Sequence, residues 1–420
     1  MPNSEISGFY NLNPEERIKH VKDFANLSEE EIALLKNTGA LKIDQANRMI
    51  ENVIGTMPIT LGVATNFLIN KKDYLIPMAI EEPSVVAAAS NAAKIARVKG
   101  GFAATSSRPI MIGQIQIVGI INPYSSRMEI LAHKKSILEK ANEQDPILVS
   151  KGGGAIDLTA KVLDTKVGSM VIVEIHVDCR DAMGANAVNT MAEAVSPLIE
   201  EITDGKVYLR IISNLATERL ARAKATFTKE ALGNDVIEGI LNAYAFALAD
   251  PYRCATHNKG IMNGISSIVL ATGNDTRAVE AGAHAYASRS GKYQPLTYWE
   301  QDNDGNLVGT IEVPTAVGLI GGATAIHPIA KIAIKILGVK SASELGEVMA
   351  SVGLAQNLAA LRALAFEGIQ KGHMKLHARN IAHMAGARGD VIDTIADKMV
   401  QMRKVRLDLA KQMLEEISNK

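Results

Sequence analysis

Four stretches of this chain carry residue types too unusual to read as packing. They are Glu51-Asn52-Val53-Ile54-Gly55, Asp181-Ala182-Met183-Gly184-Ala185-Asn186, Thr256-His257-Asn258-Lys259-Gly260 and Gly372-His373-Met374-Lys375-Leu376-His377. Two shorter ones, Glu81-Glu82-Pro83-Ser84 and Thr272-Gly273-Asn274-Asp275, add carboxylates. An ammonium that keeps its proton stabilises negative charge growing on a substrate oxygen, and a carboxyl or imidazole titrating near neutrality passes protons. A second chemistry is open in the same region: Cys254 and His257 are close enough in sequence to be a thiol and its base. The bland reading of that cysteine is a small buried hydrophobe, and no thiol-activating motif accompanies it.

The elements that must position these residues change character along the chain. The first hundred residues read as helical, with Asn13-Pro14-Glu15-Glu16 and Ser28-Glu29-Glu30-Glu31 each placing a cap before acidic first-turn residues. Pro83 at a first helical position predicts an alanine-rich helix ending at Gly100-Gly101, which puts Glu82 at a helix start. From about residue 110 the order becomes strand 111–121, helix 125–144, strands 155–163 and 169–177, helix 185–202 and strand 206–212. That βαββαβ order is the ferredoxin-like split unit, closed on itself and therefore insertable. The rest reads as helix with glycine-rich joins: 235–249, 276–289, a long apolar helix 351–370 stopping at Lys371-Gly372, and 390–417.

Composition excludes several classes. The 420 residues hold 45 Lys+Arg against 45 Asp+Glu, a net charge of zero that gives no electrostatic reason for nucleic-acid or acidic-membrane binding. Two cysteines, Cys179 and Cys254, make neither a disulfide framework nor a cysteine-rich metal site, and suit a reducing cytosol. The N-terminus has no basic region followed by an apolar run, and the most membrane-like stretch, 315–339, is broken by His327, Pro328, Lys331 and Lys335. A soluble, cytoplasmic protein without a metal is expected. The chain has no G-x-G-x-x-G, P-loop, H-E-x-x-H, G-x-S-x-G or C-x-x-C. Its glycine clusters, 152–154 and 318–322, are weak signals by themselves.

Together and in this order, the six stretches resemble the signature of hydroxymethylglutaryl-coenzyme A reductases, in the class II form of prokaryotes. The resemblance runs from about residue 11 into the C-terminal tail. It implies reduction of a thioester to mevalonate by two hydride transfers, through a hemithioacetal and an aldehyde, with release of CoA. It implies an α+β fold: a large, mostly helical domain (1–109 and 216–371), an inserted ferredoxin-like nicotinamide domain (110–215) and a mobile helical C-terminal segment (372–420). It also implies a homodimer with an interfacial active site, to which the 51–55 motif would belong, with a hexamer as the alternative, larger assembly.

By the same resemblance Glu82, Lys259, Asp275 and His373 are the catalytic residues. Lysine beside the forming oxyanion needs a carboxylate neighbour to stay charged, which is Asp275's implied task. Glu82 beside Asp275 forms a coupled pair able to supply the second step's proton, with Glu81 as the competing carboxylate. His373 protonates the departing CoA thiolate, with His377 four residues on as the alternative. Arg253 is implied for the substrate carboxylate, and Ser84, Asn263 and Gln356 for the acyl group. Asp145, Asp181, Met183, Gly184, Asn186 and Asn214 are implied for the cofactor. A carboxylate at 145 accepts from a free ribose 2′-hydroxyl and repels a 2′-phosphate, so NADH is expected over NADPH, with Lys151 nearby softening the choice. The rival readings are a CoA-dependent acyl transferase built on Cys254 and His257, and a non-catalytic CoA- or nucleotide-binding protein of the same fold.

Overall fold

The computed structural model describes the backbone of residues 3–37, 39–367, 369–402 and 404–418, and the side chains of these except at 367–376 and 418. Among the described residues ten strands make two sheets. Strands β1 (Leu61–Ile69), β2 (Lys72–Ala79) and β3 (Phe102–Ser106) precede the first crossing between the sheets, and β4 (Ile110–Val118), β5 (Gly154–Thr165), β6 (Gly168–Asp178) and β7 (Lys206–Ile212) follow it. Strands β8 (Leu220–Phe227), β9 (Thr297–Gln301) and β10 (Leu307–Pro314) return to the first sheet. The large sheet has the order β2-β1-β3-β8-β10-β9 and the small one β5-β6-β4-β7.

The small sheet is antiparallel throughout, and its order is that of the ferredoxin-like unit. β4 alternates buried and half-buried residues, so one face closes on the helices Lys134–Asn142 and Ala185–Thr203 around Ile115, Val173, Ile175 and Met191. The predicted helix 125–144 is two helices, Pro123–Ala132 and Lys134–Asn142, meeting at His133.

The large sheet overturns the sequence reading, which took the first hundred residues and most of the chain after 212 as helical and assigned none of its six strands, β1, β2, β3, β8, β9 and β10. β2 is buried continuously over its last six residues and so shows no period-two pattern, while β8 alternates from Ala221 to Phe227 with alanine at most buried positions, a weak strand former. Helix Ala342–Arg362 lies against this sheet and is buried almost all round. Together with its extension to Phe366 it is apolar and long enough to cross a bilayer by length and composition, and 67% of that window is buried inside the protein. Helix Val85–Arg97 packs beside it and on β1, and buries Ala89, Ala92, Ala93 and Ala96, the i, i+3, i+4, i+7 face of small residues.

Three further boundaries move. Helix 85–97 begins after Pro83, because Ser84 takes a left-handed conformation (φ 74°) at the N-cap. The helix expected to stop at Lys371-Gly372 is instead interrupted earlier, by a wide turn at Ala363–Glu367, and Ile369–Met384 runs through Gly372. The 390–417 helix is two, Asp390–Gln401 and Leu407–Ser418, which with Ile369–Met384 enclose a small core of Ala378, Ala382, Ile395 and Met399.

Candidate active site

Lys259 is carried by helix Pro251–Ala271, whose start is fixed by Pro251 and by Asp250 capping the Arg253 N–H. Its neighbours in the motif look inward. His257, 2% exposed, contacts the Thr297 hydroxyl at 2.8 Å, and Asn258 donates to the Gln294 carbonyl and accepts the Leu296 N–H. Thr297 and Trp299 both donate to Asn357 Oδ1, so this buried chain joins the lysine helix to helix Ala342–Arg362. The lysine itself faces out, and its Nζ donates to Glu82 Oε2 at 2.7 Å across 177 residues of sequence. Asn263, one helical turn on, donates to the same oxygen at 3.3 Å. Glu82 Oε1 has no partner among the described residues. The left-handed Ser84 and the Pro83 turn aim Glu82 across this gap, a strained backbone of the kind found at functional sites. Glu81 is exposed and makes no such contact.

The pair stays open to solvent, with Lys259 60% and Glu82 34% exposed at the side chain. An exposed ion pair contributes only about 0–1 kcal/mol to stability, so stability does not explain this one. Six residues before the lysine on the same helix, the half-buried Arg253 guanidinium has no hydrogen-bond or ion-pair partner among the described residues, and burial works against its charge. Gln356, 6% exposed, has an unpartnered Oε1 and packs against Gly264 of the lysine helix. A groove of about 360 Å³ runs from Ser84 between helices Val85–Arg97 and Ala342–Arg362, past Ala88, Asn91, Leu358 and Ala359.

Asp275 is elsewhere. It caps helix Thr276–Ala287 through the Arg277 and Ala278 N–H groups and pairs with the Arg277 guanidinium at 3.0 Å. The expected coupled pair with Glu82 is absent among the described contacts: Glu82 has a lysine and an amide, Asp275 an arginine. Asp275 instead borders a cavity of about 1160 Å³ together with Asp145, Met183, Gly184, Asn186 and Arg277, and neither Glu82 nor Lys259 lines it.

This cavity suits a dinucleotide. Gly184 (φ 108°) opens the 19-residue helix Ala185–Thr203 without a side-chain cap, leaving first-turn N–H groups for an anion. No other residue fits at 184, since a Cβ there would lie 2.4 Å from Cys179 Sγ. Asp145 lends Oδ1 to the Leu148 N–H. Asp181 does not line the cavity: its carboxylate accepts the Ala342 N–H, tying the turn to the long helix. Asn214 is exposed after β7, its carbonyl against Gly282, and is also outside the cavity lining. His373 sits in helix Ile369–Met384, inside the helix rather than past a break, and its side chain lies outside the described residues; His377 is exposed on the same helix.

The thiol–base alternative fails on geometry. Burial pushes the Cys254 thiol up to about 11 and His257 down to about 3, and the sulfur's partner is Asn258. Sequence reasoning missed Arg219, buried against the 181–184 turn, because a lone arginine before a strand carries no motif.

Residues 13–378 match the family model described as hydroxymethylglutaryl-coenzyme A reductase. The chain belongs to that family. It is 62% identical over 415 residues to the 3-hydroxy-3-methylglutaryl-coenzyme A reductase of Archaeoglobus fulgidus, covering 99% of this chain and 95% of that one. It is 35% identical to the probable reductase of Borreliella burgdorferi, over 96% of this chain and 93% of that one. Among solved structures it is similar to the class II reductase of Streptococcus pneumoniae bound to NADPH in open conformations, with TM-score 0.82, 41% identity and coverage of 97% and 100%. A second pneumococcal structure gives TM-score 0.84 at 40% identity, covering 98% and 99%. Reductases of this family reduce hydroxymethylglutaryl-CoA to mevalonate with a reduced nicotinamide cofactor.

Proposed function

We propose that this chain carries out that reduction in two hydride steps at the Lys259–Glu82 pair. The observation that carries the reading is the 2.7 Å contact between these side chains, with Asn263 on the same carboxylate oxygen. A bound reduced nicotinamide supplies the hydride. Lys259 then stabilises the oxygen that becomes anionic, an interaction stronger in the transition state than in the ground state. Glu82 Oε2 is held by Lys259 and Asn263, so Oε1 is the oxygen that takes up a proton from solvent and passes it to the alkoxide formed in the aldehyde step. Arg253 takes the substrate's free carboxylate in a bidentate pair, and Gln356 Oε1 accepts from its tertiary hydroxyl. The groove past Ser84 suits the slender arm of CoA. His373 protonates the leaving thiolate.

The cofactor-facing residues are Asp145, Met183, Gly184 and Asn186, within the inserted unit 110–215, while 1–109 and 216–371 carry the acyl site and 372–420 carries His373. Asp145 retains Oδ2 for a ribose hydroxyl and favours NADH, in contrast to the pneumococcal relative described with NADPH. The two half-sites meet in a homodimer. Asp275 borders the cofactor cavity while Lys259 lies open, and the 51–60 segment exposes Ile54 and Met57 without a regular element around them. Two buried free cysteines agree with a cytoplasmic setting.

The test is a spectrophotometric assay of both nicotinamides in both directions. Lys259→Ala should lower kcat by about 10²–10³, the range for one preorganised charge-stabilising donor. An undiminished rate removes the lysine from the mechanism.

A further inference from the structure

The glycine run 318–322 and Asn274 border the cavity beside Gly184 without being assigned a part in the chemistry above, and Asn274 and Gly318 meet there. Residues 317–320 lie against the 181–184 turn. The Leu319 N–H donates to the Asp181 carbonyl at 2.8 Å, and Ala182 pairs with Ile320 as an isolated parallel bridge. A Cβ on Gly318 would stand 2.5 Å from the Met183 nitrogen, so only glycine permits this approach. On its other side Gly318 is gripped at both backbone groups by one side chain. Asn274 Nδ2 donates to the Gly318 carbonyl at 3.1 Å and Oδ1 accepts the Gly318 N–H at 2.8 Å. Asn274 is the residue before Asp275.

Arg219 closes the assembly from below. It is 4% exposed, and its guanidinium donates to the carbonyls of Ala182 at 3.0 Å, Met183 at 2.9 Å and Val317. No carboxylate is hydrogen-bonded to it among the described residues. A guanidinium buried this way is tolerated only because its donors are used, and here they are used on the backbone of the two segments that meet. The planar fork fixes the distance between them.

We infer that Asn274 and Arg219 are positioning residues, and that the strut 317–320 they hold sets the cofactor turn at a fixed separation from Asp275. The inference rests on the reading that the nicotinamide cofactor occupies the cavity beside Gly184. Asp275 cannot shift against the turn without breaking the Asn274 clamp, and the turn cannot shift without opening the Arg219 fork. A displacement near 1 Å costs about 10²-fold in rate when reacting groups must align.

The variants are Gly318→Ala, which drives a methyl between strut and turn, and Asn274→Asp, which keeps size and acceptor but loses the donor to Gly318. Three quantities are read: the melting temperature, the Kd for reduced nicotinamide by its fluorescence without substrate, and the separate KM values. Expected is a Kd and a nicotinamide KM raised about tenfold, a lower kcat, and a KM for hydroxymethylglutaryl-CoA within about twofold of wild type. A lower melting temperature with unchanged nicotinamide Kd and KM overturns the inference, leaving the strut a stabilising element only. If Gly318→Ala does not fold, Asn274→Asp decides on the same readouts. Wild-type protein that neither binds nor oxidises reduced nicotinamide sinks the reductase reading instead.

Discussion

The Lys259–Glu82 side and the cofactor cavity hold their functional groups in opposite ways. At the first, two exposed side chains meet across open solvent, and what fixes them lies behind: the left-handed Ser84, and the buried His257–Thr297–Asn357 chain under the lysine helix. At the second, backbone meets backbone, with glycines permitting contacts that any side chain would block and Arg219 bound to carbonyls. Chemistry on a changing substrate charge needs mobile, titratable side chains, whereas phosphate binding needs rigid N–H groups. Under the proposed reading neither region is a whole site, for the lysine has its glutamate but not the aspartate, and the cavity has the aspartate but not the lysine.

The sharpest way to break that division is to mix two dead enzymes. Lys259→Ala and Asp275→Ala should each be nearly inactive, and their mixture should recover about a quarter of wild-type activity if each site draws on two copies, since half the dimers are hybrid and each hybrid has one intact site. No recovery, with subunit exchange verified, would place both residues in one chain's site.

A smaller effect is expected at the cavity alone. Asp145→Ala should raise kcat/KM for NADPH relative to NADH by about tenfold, equivalent to about 1.4 kcal/mol, through loss of repulsion at the 2′-position. A ratio that does not move would remove Asp145 from cofactor selection. The last effect is on stability rather than on activity and concerns the support behind the lysine. Burial holds His257 down to about 3 against an ordinary 6.5, so the unfolded chain takes up a proton below about 6.5 that the folded one refuses. Its stabilising contribution is therefore complete above that pH and declines as the pH falls toward 3, by at most about 1.4 kcal/mol per unit. Urea unfolding between pH 6.5 and 4.5 should show a steeper loss for wild type than for His257→Gln; equal slopes would contradict the buried neutral imidazole.

Local sequence determined whatever depends on near neighbours. The alternation in β4, the capping boxes at Asn13 and Ser28, and the glycine that opens helix Ala185–Thr203 are all readable because each is set within a few residues. The motif residues could be picked out as chemical groups, but not paired. Only the tertiary structure decided that Glu82 meets Lys259 while Asp275 meets Arg277, because the Glu82–Lys259 contact joins residues 177 apart in sequence and depends on how separate helices pack on the large sheet. The same holds for the strut: a glycine in sequence promises freedom, and only the neighbouring Met183 nitrogen reveals that the glycine at 318 is there for closeness.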